Sequence, residues 1–187
     1  MKKVLVLLFF LIFTATIVIG CGSNRIGQAE NRVEAKYFIE EDGTEDYLDE
    51  TNKDVVEVLD LIEAYEKVEN EYDYKTADKT LRYPYVTDNF KEIKETGRWE
   101  QDIKEGKICM EWCDFNIDYI KFNKTLTEAE AEYFTCFKVL ECGCMEESGF
   151  KDGATYLARI WIQVKKVDGQ WKVDDYSFSS KNAERID

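Results

Sequence analysis

The sequence predicts an α+β domain in which N-terminal helices pack on a curved antiparallel sheet of four strands. Three observations carry this expectation. Val55, Val58, Leu59, Ile62, Tyr65, Val68 and Tyr72 recur every three or four residues, the period of a one-sided helix. After Gly106 the apolar period changes to two, and it stays there almost to the C-terminus. Asp168-Gly169 then divides two alternating runs, a strong signal for a two-residue hairpin.

Taken in order, residues 21–51 read as an acidic tether. They contain Gly27, Gly43 and an acidic run over 40–50, with little periodic apolar content, which favours an extended solvated chain. An EF-hand loop centred on Gly43 would put Phe38 at the first ligand position. Phe cannot ligate calcium, so the motif fails. The first helix begins near Asn52, with Thr51 or Asn52 as cap and acids in its first turns. A short helical piece is expected over 76–81, and Pro84, the single proline, breaks the chain after it. Thr87 then caps a helix carrying Phe90 and Ile93, ending near Gly97 or Gly106. Strands follow over 108–122, 133–144, 155–167 and 170–178. Pairing Val167 with Gln170 puts Ile160, Ile162 and Val164 on one face with Val173. The same register sets Trp161 opposite Tyr176, Arg159 opposite Phe178, and Asp175 opposite Ile162 on the aliphatic face. Large apolar groups on both faces suggest a sheet covered by helices on one side and curled around a pocket on the other. The domain is bounded at 52–180, with a tail over 181–187.

The first 20 residues have a separate character. Met1-Lys2-Lys3 is a positive start, and Val4 to Ile19 is apolar, the layout of a secretory signal peptide. The apolar stretch is shorter than the roughly 20 residues needed to span a bilayer. Val18-Ile19-Gly20-Cys21 closely resembles the lipobox of bacterial lipoproteins. The resemblance implies a diacylglycerol on the Cys21 thiol and cleavage before Cys21. It also implies a mature chain held on the extracytoplasmic face of the cell membrane. Two acyl chains, at about 0.8 kcal/mol per buried methylene, anchor stably where one does not.

With 39 acidic against 25 basic residues, the formal charge is −14, and loss of Lys2 and Lys3 makes it more negative. Such a surface is repelled by phosphate backbones, which excludes a nucleic-acid partner. There is no His, so Ser-His-Asp and Cys-His catalysis and imidazole-ligated zinc are excluded as well. Acid–base chemistry would fall to Asp, Glu, Tyr or Lys.

The run from Trp161 to Tyr176, with its apolar-Asp-Gly-x-Trp-x-Val pattern at Val167 to Val173, is similar to the last hairpin of the NTF2-like (cystatin-like, SnoaL-like) superfamily. Tyr83-Pro84-Tyr85 ahead of the Thr87 helix, and the helices-first order, extend the resemblance over roughly residues 53–179. It implies a cone-shaped pocket between sheet and helices, and dimerisation through the sheet. The superfamily hosts isomerases, cyclases, dehydratases and binding modules, so it implies no one activity.

Candidate sites come from three sets. Cys109 and Cys113 share one strand face, and so do Cys142 and Cys144. A hairpin tip within 124–130 would bring Cys113 near Cys142, leaving Cys136 over. Disulfides, plain thiols and a zinc site of four thiolates are all open for the first four. Asp175, with Tyr83, Tyr85 or Tyr119, is the candidate general base, against the plainer reading of a solvated strand end. Trp99, Trp112, Phe115, Tyr119, Tyr133, Phe134, Trp161 and Tyr176 line a pocket or fill a core. The leading expectation is a non-catalytic binding or interaction module of the cell envelope, without a cofactor, taking a small apolar ligand or an envelope protein. Alternatives are an isomerase or hydratase using Asp and Tyr, and a thiol- or metal-dependent envelope protein.

Overall fold

The computed structural model describes residues 34–178 and 183–187. The leader, Cys21 and the first part of the expected tether lie outside the described residues.

Among the described residues, eight strands form one mixed sheet. A hairpin of β1 (Lys36–Glu41) and β2 (Thr44–Tyr47) comes before the first helix, α1 (Lys53–Asn70). A two-residue strand, β3 (Tyr72–Asp73), and a 3-10 segment over Lys79–Tyr85 lead to α2 (Asp88–Thr96) and α3 (Trp99–Gly106). The long strands are β4 (Cys109–Phe122), β5 (Glu128–Glu141), β6 (Thr155–Val167) and β7 (Gln170–Phe178), and β8 (Glu184–Arg185) closes the chain. The main order is β2-β1-β4-β5-β6-β7; β3 adds to β4 and β8 to β6.

This overturns the expected helix-led cone with four antiparallel strands. The sheet has twice that number, two strands precede the first helix among the described residues, and β1 runs parallel to β4, with Lys36 opposite Tyr119 and Ile39 opposite Phe122. Residues 36–47, assigned to the tether, are part of the sheet. The cause is local. Asp42 and Gly43 both take positive φ, 51° and 78°, as a tight hairpin turn requires. Tyr37 and Ile39 pack on the core, while Phe38 faces Tyr47 and Tyr119, at 6.0 and 6.1 Å between ring centroids.

Asn52 caps α1 by accepting the Asp54 N–H at 3.0 Å, and Thr87 caps α2 by accepting the Phe90 N–H at 3.2 Å. The helix stripe Val55, Val58, Leu61, Ile62 and Tyr65 covers one half of the sheet. A second core, built around Ile103, Met110, Phe137 and Phe150, covers the other half. Both rest on the same sheet face. Along β5 the inward residues run Ala129, Ala131, Tyr133, Thr135, Phe137 and Val139, and the division between the cores falls at Thr135.

The last hairpin keeps the expected Val167–Gln170 and Val164–Val173 pairs. Beyond them the register slips. Gln163 faces Asp175, Ile162 faces Tyr176 and Ile160 faces Phe178, because Asp174 is an extra residue in β7. Thr87 holds this bulge: its hydroxyl donates to Asp174 Oδ1 at 2.7 Å and its N–H donates to the Val173 carbonyl at 2.9 Å.

Candidate functional site

The slip decides which side chain enters the interior. Asp175 is exposed and accepts the N–H of Tyr176 at 2.7 Å. A general base needs a dry, enclosed setting to hold its proton near neutrality, and the bulge takes Asp175 out of one. Tyr176 turns inward in its place and meets Tyr65 edge to face at 5.3 Å.

There it joins a polar seam between the two cores. The last turns of α1 supply Tyr65, Glu66, Glu69 and Asn70 on adjoining positions of one side. Glu66 is wholly buried. The Tyr133 hydroxyl donates to its Oε1 at 2.6 Å, and the Asn70 amide donates to its Oε2 at 2.8 Å. Thr135 and Tyr176 turn their hydroxyls toward the same carboxylate. Burial pushes the Glu66 carboxyl up from 4.5 to about 7; the hydroxyl donors oppose that rise and the nearby Glu69 charge adds to it. Burial likewise raises the Tyr65, Tyr133 and Tyr176 phenols well above their ordinary range, so all three remain proton donors.

Glu69 stands beside them as a paired anion. Arg82 Nε lies 2.6 Å from Glu69 Oε2, and Lys94 Nζ 3.3 Å from Oε1. Arg82 is 1% exposed, and its guanidinium carbon lies 3.2 Å from the centre of the Trp99 ring.

The seam floors a cavity of about 200 Å³ in the second core. Asn70, Tyr176 and Glu69 form its polar end, and Trp99, Met110 and Phe150 are among its apolar walls. Glu66 is behind this floor and does not line the cavity. Larger depressions, of about 390 Å³ beside Lys121 and about 640 Å³ beside Arg98, are open surface grooves lined mainly by charged and polar side chains.

Of the eight candidate aromatics, Trp99 and Tyr176 reach the cavity, and Tyr133 belongs to the seam. Trp112 and Phe115 flank a separate groove under α1, Tyr119 bonds Glu130 and Glu132, and Phe134 lies under Arg159. Trp161 pairs with Glu132 on β5 and Ser177 on β7, away from the cavity lining.

The cysteines are arranged differently from the expected set. Cys109 faces Glu141, and the Cys142 N–H donates to Asp152 Oδ1 at 2.7 Å. Cys113 is nowhere near its expected partner Cys142. Its neighbour across the sheet is Cys136, the residue left over in the sequence reading. The reason is the tip of the β4–β5 hairpin. Asn123 Oδ1 accepts the N–H groups of Thr127 and Glu128 at 2.9 and 3.3 Å, closing the turn early and moving the facing residue toward the tip. Among the described residues, no group of three or more Cys, Asp or Glu is placed to hold a metal ion. Also among them, no helix is long and apolar enough to cross a membrane.

Glu66, Asn70, Glu69 and Arg82 were not singled out by sequence. The available signal was polar residues at 66, 69 and 70 where the apolar stripe of α1 would otherwise continue.

No family model matches the chain, and no curated protein matches it. Among solved structures it is similar to the crystal structure of the intermembrane space region of chloroplast protein ARC6, at 9% identity and a TM-score of 0.49, over 65% of this chain and 92% of that one.

Proposed function

We propose that this protein is a lipid-anchored binding module of the cell envelope that holds a small, largely apolar molecule. The observation that carries the binding reading is the largely apolar cavity of about 200 Å³ with Asn70, Tyr176 and the ion-paired Glu69 at one end. An apolar protein cavity of about 150 Å³ accepts benzene, so this one suits a single ring with one hydrogen-bonding substituent. Glu66 supports binding over turnover. Both its oxygens are engaged by Tyr133 and Asn70, and it does not line the cavity. It fixes the donors at the cavity floor and does not touch what lies above them. The anchor rests on the lipobox-like run ending at Cys21.

Thermal-shift titration with phenol, benzamide and toluene tests the binding reading. Phenol and benzamide should bind saturably, and toluene about fivefold more weakly, since one net hydrogen bond is worth about 1 kcal/mol. Absence of binding by all three would refute it. Labelling cells with an alkynyl fatty acid tests the anchor: the label should sit on Cys21 and vanish, with release from the membrane, in Cys21→Ser.

A further inference from the structure

We propose that Cys113 and Cys136 are a disulfide-forming pair that ties β4 to β5 at the centre of the sheet. Trp112 pairs with Phe137 and Asp114 with Cys136, so Cys113 is the unpaired extra residue of a bulge. In such a bulge two residues of one strand oppose one residue of the other. Cys113 and Asp114 therefore both confront Cys136. The two thiols are close enough that each alters the titration of the other.

Exposure gives the pair an order of reaction. The Cys113 residue is exposed and Cys136 is buried. Burial raises both thiols and pushes Cys136 up to about 12, so the exposed Cys113 is the group that meets a soluble oxidant. With glutathione disulfide as oxidant, the Cys113 thiolate attacks one of its sulfurs and expels a glutathione thiolate. The Cys136 sulfur then attacks Cys113 within that mixed disulfide and expels the second glutathione. One S–S bond forms in the protein and one breaks in the oxidant. Two electrons pass to glutathione, and the two thiol protons leave with the two reduced glutathiones.

The other three described cysteines lie away from this pair. Cys142 donates its N–H to Asp152 Oδ1, Cys109 faces a glutamate across the ladder, and Cys144, exposed beyond β5, lies with its sulfur against Gly106.

The test is non-reducing peptide mapping of the purified protein after equilibration with glutathione disulfide and blocking with N-ethylmaleimide. Cleavage after Glu111 separates Cys113 from Cys109, and cleavage after Lys138 separates Cys136 from Cys142. The expected product is one cross-linked peptide joining Cys113 to Cys136, lighter by two hydrogens than the pair of thiol peptides. The variants should behave asymmetrically. Cys136→Ser should stop at glutathione on Cys113, whereas Cys113→Ser should leave Cys136 unmodified until the protein is denatured. Cys142→Ser should leave the cross-link intact. Glutathione retained on Cys113 in the unsubstituted protein, or Cys113 joined to any other cysteine, would overturn the proposal. The unsubstituted protein supplies the decisive result, so a variant that misfolds does not blunt the test.

Discussion

Replacing Glu66 by Gln tests the polar seam directly. The substitution keeps the side-chain volume and an acceptor oxygen for Tyr133, and it removes the ionisation. In the folded protein Glu66 holds its proton up to about 7, whereas in the unfolded chain it loses it near the ordinary value of 4.5. Between those values the folded state binds more protons than the unfolded state. Stability therefore falls as pH rises through this window, and the loss is complete above the folded value. At about 1.4 kcal/mol per pH unit, the interval from 4.5 to about 7 amounts to about 3 kcal/mol. That is a large part of the roughly 5–15 kcal/mol that holds a domain together. The amide that replaces the carboxyl does not titrate, and every other titrating group is common to both proteins. The stability of Glu66→Gln relative to the unsubstituted chain should thus rise by about 3 kcal/mol between about pH 4 and about pH 8. Urea unfolding followed by tryptophan fluorescence at a series of pH values measures the difference. Two pH–stability curves that stay parallel would mean that Glu66 titrates normally, and the account of a dry, buried carboxylate would be wrong.

Four further substitutions probe the supports of the site. Arg82→Met leaves Glu69 in the interior with only Lys94 beside it, and should cost about 3 kcal/mol by urea unfolding, the scale of a broken buried pair. Thr87→Val removes both the helix cap and the hydroxyl that holds Asp174; the expected loss is about 1–2 kcal/mol, with phenol binding weakened as Tyr176 loosens. Gly43→Ala meets no atom within 4 Å and costs only the strain of a positive φ, about 1 kcal/mol; no loss at all would show that residues 36–47 are an unpaired tether. Asp175→Asn should leave both stability and phenol affinity unchanged, within about 0.5 kcal/mol, because the carboxylate is exposed.

Much of the local structure was legible because its signals are local. The stripe from Val55 to Tyr65 is a helix, Thr87 is a cap, and Asp168-Gly169 makes the turn that pairs Val167 with Gln170. The missed hairpin carried the same dipeptide, Asp42-Gly43, and its φ angles match those of Asp168 and Gly169 within a few degrees. There the charges of Glu40, Glu41, Glu45 and Asp46 outweighed the turn signal. An edge hairpin can carry such charges, because half its surface faces water. The parallel pairing of β1 with β4 spans some 80 residues of chain and leaves no local trace. Cysteine placement failed for a related reason. Counting across a hairpin needs the loop and every bulge, and β4 against β5 has three breaks of register, none written in the composition of either strand.

The bulge in β7 also shapes the site. With a regular ladder, Asp175 would face the core opposite Ile162, an unpaired carboxylate on an aliphatic surface, and Tyr176 would face out. Burying such a charge alone costs several kcal/mol. Inserting Asp174 exchanges the two: the carboxylate goes to water and a phenol goes in. That phenol arrives where Glu66, Tyr133 and Thr135 already interrupt the apolar face between the two cores. A further anion at this point would sit against Glu66 and Glu69, whereas a neutral phenol repels neither. The same exchange adds a phenol to the polar end of the cavity, where Tyr176 joins Asn70 and Glu69. Thr87 therefore acts on the cavity from a distance, through the register of one strand. Its bond to Asp174 selects which of two neighbouring residues, an acid or a phenol, the interior receives.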